Sequence, residues 1–204
     1  MKTLKVKWTG IRPLIMHNAD MVDPLNPFVR RIKEIHSKGS KKLTDSDREE
    51  MQRLEWEGAL YWDTDLGLCL TSDILEATIK AGAQKIRLGK AMEAACFVTE
   101  PVVRIDTKTK YPKEKQALYD TKGPDGSPAY QIRKAVRVPP RTGARLMKVR
   151  PLIPTGWSVT FEIEFDESVV NGKDLLKAMT EAGALVGCCD WRPKFGRFTV
   201  EQVE

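Results

Sequence analysis

The clearest pattern along the chain is the alternation at its beginning. In Lys2-Thr-Leu-Lys-Val-Lys-Trp-Thr9, the residues Leu4, Val6 and Trp8 fall on one face and Lys5 and Lys7 on the other. That predicts a half-buried strand ending at Gly10. Residues 157–165, Trp-Ser-Val-Thr-Phe-Glu-Ile-Glu-Phe, alternate as cleanly and predict a second strand of the same kind. Shorter apolar runs predict strands at 66–71, 102–105, 132–138, 144–153 and 197–203. Helical spacing takes over between them. Phe28 to His36 predicts a short basic helix. Ser46 and Glu49 have capping-box spacing and open a helix with Met51, Leu54, Gly58 and Tyr61 along one stripe. Ser72 caps another, with Leu75, Ile79, Gly82 and Ile86 inward, and Asn171 starts a third, with Leu175, Leu176, Met179 and Ala182 inward. Residues 11–27 predict a loop, and 107–130, rich in Lys, Pro, Gly and Asp, predict the least ordered part of the chain.

This succession predicts an α+β fold, an antiparallel sheet with helices on one face in a ferredoxin-like, or RRM-like, plan. The expectation is a single domain, 1–204, with a helical insertion at about 28–98 and a protruding basic β-hairpin at about 131–153.

Composition narrows the class. With 41% apolar and 30% charged residues the chain is globular rather than disordered. At 204 residues it buries a core without disulfides or metal. Lysines interrupt every apolar stretch at the start, and no run reaches the length of a membrane span. The expectation is a cytoplasmic protein whose Cys69, Cys96, Cys188 and Cys189 are reduced. Adjacent cysteines rarely bond to each other, and they do not make a zinc pair. No phosphate loop, dinucleotide fingerprint, nucleophile elbow or paired-histidine zinc motif is present. No cofactor and no metal is expected.

Charge adds what composition does not. The net charge of +6 is modest, but it is segregated. Arg133, Lys134, Arg137, Arg141, Arg145, Lys148 and Arg150 fall in a stretch with no Asp or Glu. On a two-stranded ribbon they form a finger able to neutralise several phosphates and release their counterions. A solvated edge hairpin that blocks aggregation is the plainer alternative. Lys80 and Arg87, seven residues apart, add a cationic helix face. The segment Gly187-Cys-Cys-Asp-Trp-Arg-Pro-Lys-Phe-Gly-Arg-Phe198 interleaves Trp191, Phe195 and Phe198 with Arg192, Lys194 and Arg197. Aromatics that stack bases beside cations that hold phosphate suit single strands, although such aromatics are more often core. His17, in the loop after the first strand, has the chemistry of a general base for cleavage at a 2′-hydroxyl, but no second histidine or paired carboxylate is linked to it. A hydrogen-bonding loop residue is the plainer reading.

The first strand, its Gly-led loop, and the late helix running into Gly-Ala-Leu-Val-Gly … Trp-Arg-Pro-Lys-Phe-Gly-Arg-Phe-Thr-Val resemble the RAMP superfamily, the RRM-like proteins of CRISPR effector complexes. The resemblance covers about 60 residues at the two ends. It implies a palm with a protruding basic thumb, which would be the hairpin around Pro139 and Pro140, backbone-led binding of single strands, and a phage source. It also implies head-to-tail assembly, for which the acidic helix face of Glu49, Glu50, Glu55 and Glu57 is the candidate surface. The family contains guide-RNA-processing endonucleases that use an N-terminal histidine. The sequence therefore points to a non-catalytic binder of single-stranded DNA or RNA. The alternatives are a metal-independent endoribonuclease using His17, or a phage inhibitor or adaptor docking on an acidic protein surface.

Overall fold

The computed structural model describes residues 1–137 and 145–203. Strand β1 is Lys2–Gly10 and β2 is Leu14–Ile15; a 3-10 turn at Ala19–Val22 then leads to helices α1, Pro27–Ser37, and α2, Asp45–Ala59. Strands β3, Trp62–Asp63, and β4, Gly67–Thr71, precede helices α3, Ser72–Lys85, and α4, Gly89–Ala95. Next come β5, Cys96–Val98, β6, Val102–Arg104, and the short helix α5, Lys115–Asp120. Strands β7, Gln131–Arg137, β8, Arg145–Ile153, and β9, Ser158–Phe165, follow. Helix α6, Gly172–Glu181, a π-helical turn at Ala182–Val186, and β10, Phe198–Gln202, complete the described chain. The fold is α+β with antiparallel sheets.

The chain divides into two compact units. One is Met1–Ile15, Tyr61–Tyr111 and Ile153–Glu204, and the other is Met16–Leu60 with Pro112–Leu152. Each is assembled from segments far apart in sequence, so neither carries a boundary that composition would betray. The stretch 28–98, expected as a helical insertion, holds α1 to α4 together with β3, β4 and β5.

The first unit is built on a four-stranded sheet in the order β10-β1-β9-β5, with β1 antiparallel to both neighbours. The alternation read from the sequence is what buries. Leu4, Val6 and Trp8 of β1 are in the core, as are Val159, Phe161, Ile163 and Phe165 of β9. Register sets Val6 opposite Phe161 and Trp8 opposite Val159, so the two apolar faces coincide. Trp8 stacks on Phe198 with ring centroids 4.1 Å apart and meets Phe161 edge-on at 5.0 Å. Each such side chain, fully buried, stabilises by about 1.5–3 kcal/mol. Helices α3 and α6 pack on each other and add Leu75, Ile79, Leu175 and Met179 to the core. Gly82 permits their approach, since a Cβ there would sit 2.1 Å from the Ala178 carbonyl oxygen. A second sheet, β3-β4-β6, belongs to the same unit.

The second unit centres on Trp56 of α2. Its indole nitrogen donates to the Tyr130 carbonyl oxygen at 2.9 Å, and its ring meets Tyr119 edge-on at 5.1 Å. The stripe expected on α2 is thus corrected: Met51 and Leu54 are only half-buried, and Trp56, Gly58 and Ala59 are the inward residues. The cap is corrected too. Thr44, not Ser46, begins α2, and its hydroxyl accepts from the Asp47 amide while the Asp47 carboxylate accepts from the Thr44 amide. Ser72 likewise lies inside α3, whose N-cap is Thr71. The stretch 107–130, expected to lack order, contains α5 and buries Leu118 and Tyr130. Among the described residues no helix is long and apolar enough to cross a membrane.

Candidate nucleic-acid interface

In the second unit β7 and β8 pair antiparallel from Gln131 opposite Pro151 to Arg137 opposite Arg145. The register places Lys134 directly opposite Lys148. Arg133, Lys134 and Arg145 are exposed, beside exposed Leu146 and Met147. Arg141 and the side chain of Arg137 lie outside the described residues.

The seven cations are not all unopposed, and here the structure corrects the sequence reading. Lys148 is half-buried and forms an ion pair with Glu55 of α2. Acid absent from the local sequence is supplied by a helix 93 residues away. Arg31 pairs with Glu50 at 2.8 Å, so two of the four glutamates set aside for a neighbouring copy are engaged within their own unit. Arg150 donates toward His17, Nη2 to Nε2, at 3.3 Å. A guanidinium only donates, so this contact draws on the Nε2 lone pair of His17. The lone pair that a general base would use is turned to Arg150.

In the first unit the structure joins two segments that the sequence offered separately. The loop after β1 is laced to the segment before β10. The amides of Ile11 and Arg12 donate to the Arg197 carbonyl oxygen at 2.8 and 3.2 Å. Gly196 N–H donates to the Pro13 carbonyl oxygen at 2.8 Å, and Asp190 N–H to that of Ile15 at 2.9 Å. Trp157 Nε1 donates to the Arg12 carbonyl oxygen at 2.9 Å, over a Gly10 that has no room for a Cβ. The result is one locus holding Arg12, Arg192 and Lys194, all exposed, with Arg197 half-buried. Arg12 was missed because a lone arginine in a proline-containing loop carries no spacing signal. Trp191 is half-buried, with its ring 6.1 Å from that of Phe195. Phe198 is core, stacked on Trp8.

Lys80 and Arg87 do not form the shared helix face expected of them. Helix α3 ends at Lys85, and Arg87 follows it in the left-handed region at φ 63°. Lys80 is ion-paired with Glu93. It lies on the rim of a cleft of about 210 Å³ whose other charged residues are Asp73, Glu76 and Glu93. That setting is acidic and ill suited to a phosphate.

Cys188 and Cys189 sit at the same locus as Arg192. The Cys188 and Cys189 thiols lie within hydrogen-bonding distance, Sγ to Sγ 3.7 Å, and the Thr78 hydroxyl donates to Cys188 Sγ, also at 3.7 Å. The Cys189 bond, with help from Thr78 and the Arg192 charge, draws the Cys188 thiol below its ordinary pKa despite burial. The same bond and burial push the Cys189 thiol well up. Burial alone pushes Cys96 up to about 11, and burial first of all, then the Asp63 charge, pushes Cys69 there too. Among the described residues no group of three or more His, Cys, Asp or Glu is placed to hold a metal ion. No family model and no curated protein matches this sequence.

Proposed function

We propose that this chain holds the phosphate backbone of a single-stranded nucleic acid without catalysing a reaction on it. The carrying observation is the β7–β8 ribbon. Its two strands contain no acidic residue, and their register opposes Lys134 to Lys148. One glutamate, Glu55, offsets Lys148 from outside the strands. A polyanion laid along the ribbon meets exposed Arg133 and Arg145 and releases its own counterions. In the first unit Arg12, Arg192 and Lys194 offer a second cationic locus, with Trp191 beside it for a base to stack on. The order β10-β1-β9-β5, with α3 lying between β1 and β5 in sequence and α6 between β9 and β10, is the order that a βαββαβ unit gives. It supports the RRM-like plan and, with the hairpin read as a thumb, the RAMP-like reading.

The test is fluorescence anisotropy of labelled single-stranded DNA, single-stranded RNA and duplex across a salt series. The expected result is single-strand binding that weakens with salt. The double substitution Arg133→Glu, Arg145→Glu should lower the slope of log affinity against log salt by about 1.4, at about 0.7 per lost contact. Salt-independent binding, or a slope that the double variant leaves unchanged, would remove the ribbon from the reading.

A further inference from the structure

We propose that Cys188 and Cys189 form a two-sulfur chelate for a single trivalent arsenical centre. The pair would act independently of nucleic-acid binding. Neighbouring α-carbons are about 3.8 Å apart. A direct disulfide wants about 4.4–6.8 Å between them, so bonding these two sulfurs to each other strains the chain. Their present separation is 3.7 Å, far longer than a disulfide and well matched to a bridge. Two bonds of about 2.3 Å, the zinc–sulfur length, close across 3.7 Å at about 107°. A linear two-coordinate ion does not take that bent angle, whereas a pyramidal trivalent centre does.

The surroundings hold the pair in place. Cys188 N–H donates to the Gly196 carbonyl oxygen at 2.8 Å, and Cys189 is held in the left-handed region at φ 62°. Cys189 is half-exposed while Cys188 is fully buried. An arsenical therefore bonds Cys189 first and then, keeping that bond, closes onto the Cys188 sulfur 3.7 Å from that of Cys189. With a monosubstituted arsonous acid, two arsenic–oxygen bonds break and two arsenic–sulfur bonds form. Both thiol protons leave with the oxygens as two waters, and nothing is oxidised or reduced.

The experiment uses the folded full chain and phenylarsine oxide, read by intact mass. One phenylarsenic per chain, with loss of two thiol hydrogens, is expected. The adduct should survive excess 2-mercaptoethanol and be stripped by dithiothreitol, because a chelate resists a monothiol and yields to a dithiol. Cys189→Ser, at the half-exposed position, should lose the monothiol-resistant adduct, and a Cys69→Ala, Cys96→Ala double variant should keep it. An adduct that 2-mercaptoethanol removes, or one that persists in Cys189→Ser, overturns the proposal. So does a parent mass already short of two hydrogens in Cys188–Cys189 peptides, which would mean that the pair had closed on itself.

Discussion

If Glu55 is what holds Lys148 back from phosphate, neutralising it should strengthen nucleic-acid binding. In Glu55→Gln the side chain keeps its shape and loses its charge. The pair is partly solvated, with side-chain exposures of 32% for Lys148 and 17% for Glu55, so breaking it should cost about 1 kcal/mol of stability or less. The released ammonium adds one cation to the ribbon. One further contact on a single strand steepens the salt slope by about 0.7, which is about fivefold tighter binding at 0.1 M salt. Anisotropy titrations at four or five salt concentrations measure both quantities. Two controls sharpen the reading. Lys148→Gln in the parent should change little, because Lys148 is already neutralised. In the Glu55→Gln background it should reverse the gain. A Glu55→Gln variant whose slope and affinity equal the parent's would refute the reasoning, provided thermal melting shows it folded. The sequence alone predicts otherwise, since it gives Lys148 the same weight as its six neighbours.

Three further outcomes follow from the geometry. Gly82→Ala puts a methyl 2.1 Å from the Ala178 carbonyl oxygen and 2.6 Å from the Ala182 Cβ, so α3 and α6 must part; a loss of about 1–3 kcal/mol is expected in urea unfolding. The Asp47 carboxyl is held at about 2, against an ordinary 3.8, by the Lys38 ammonium and then by the Thr44 amide and hydroxyl. A depressed folded pKa gives stability that is present above 3.8 and lost as pH falls through about 2, so urea midpoints of the parent should fall over that window while those of Asp47→Asn stay flatter. His17→Ala should leave RNA as intact as the parent does, with or without EDTA; cleavage by the parent that vanishes in the variant would restore His17 as a base.

The strands that frame the first unit were legible because one face of each is buried. A period of two in Leu4, Val6 and Trp8, or in Val159, Phe161, Ile163 and Phe165, has no other stable use. Asn171 as a cap was legible for a similar reason: its side chain accepts from Asp174 N–H, a bond that needs only local spacing. The start of α2 was misread because Ser46 and Thr44 offer equivalent hydroxyls. The choice fell to Asp47, which reaches back to Thr44 and is itself held by Lys38. The acid-free run from Arg133 to Arg150 was legible as charge, but not as field. Whether a cation is available depends on what faces it, and Glu55 faces Lys148 from a helix that the run does not contain.

The amino-acid sequence by itself determined the fold class, the principal strands and the segregation of charge, since each follows from neighbours within a few residues. Tertiary structure alone decided the rest. It divided the chain into two units built from interleaved segments, laced the loop of Arg12 to the segment of Arg192 and Arg197, and turned the Nε2 lone pair of His17 toward Arg150. It also paired Lys148 with Glu55 and set the Cys188 and Cys189 sulfurs 3.7 Å apart. The physical reason is range. Periodicity and capping act within a turn or a strand, whereas ion pairs, cross-chain carbonyl contacts and thiol geometry are set by whichever distant segment packing brings alongside.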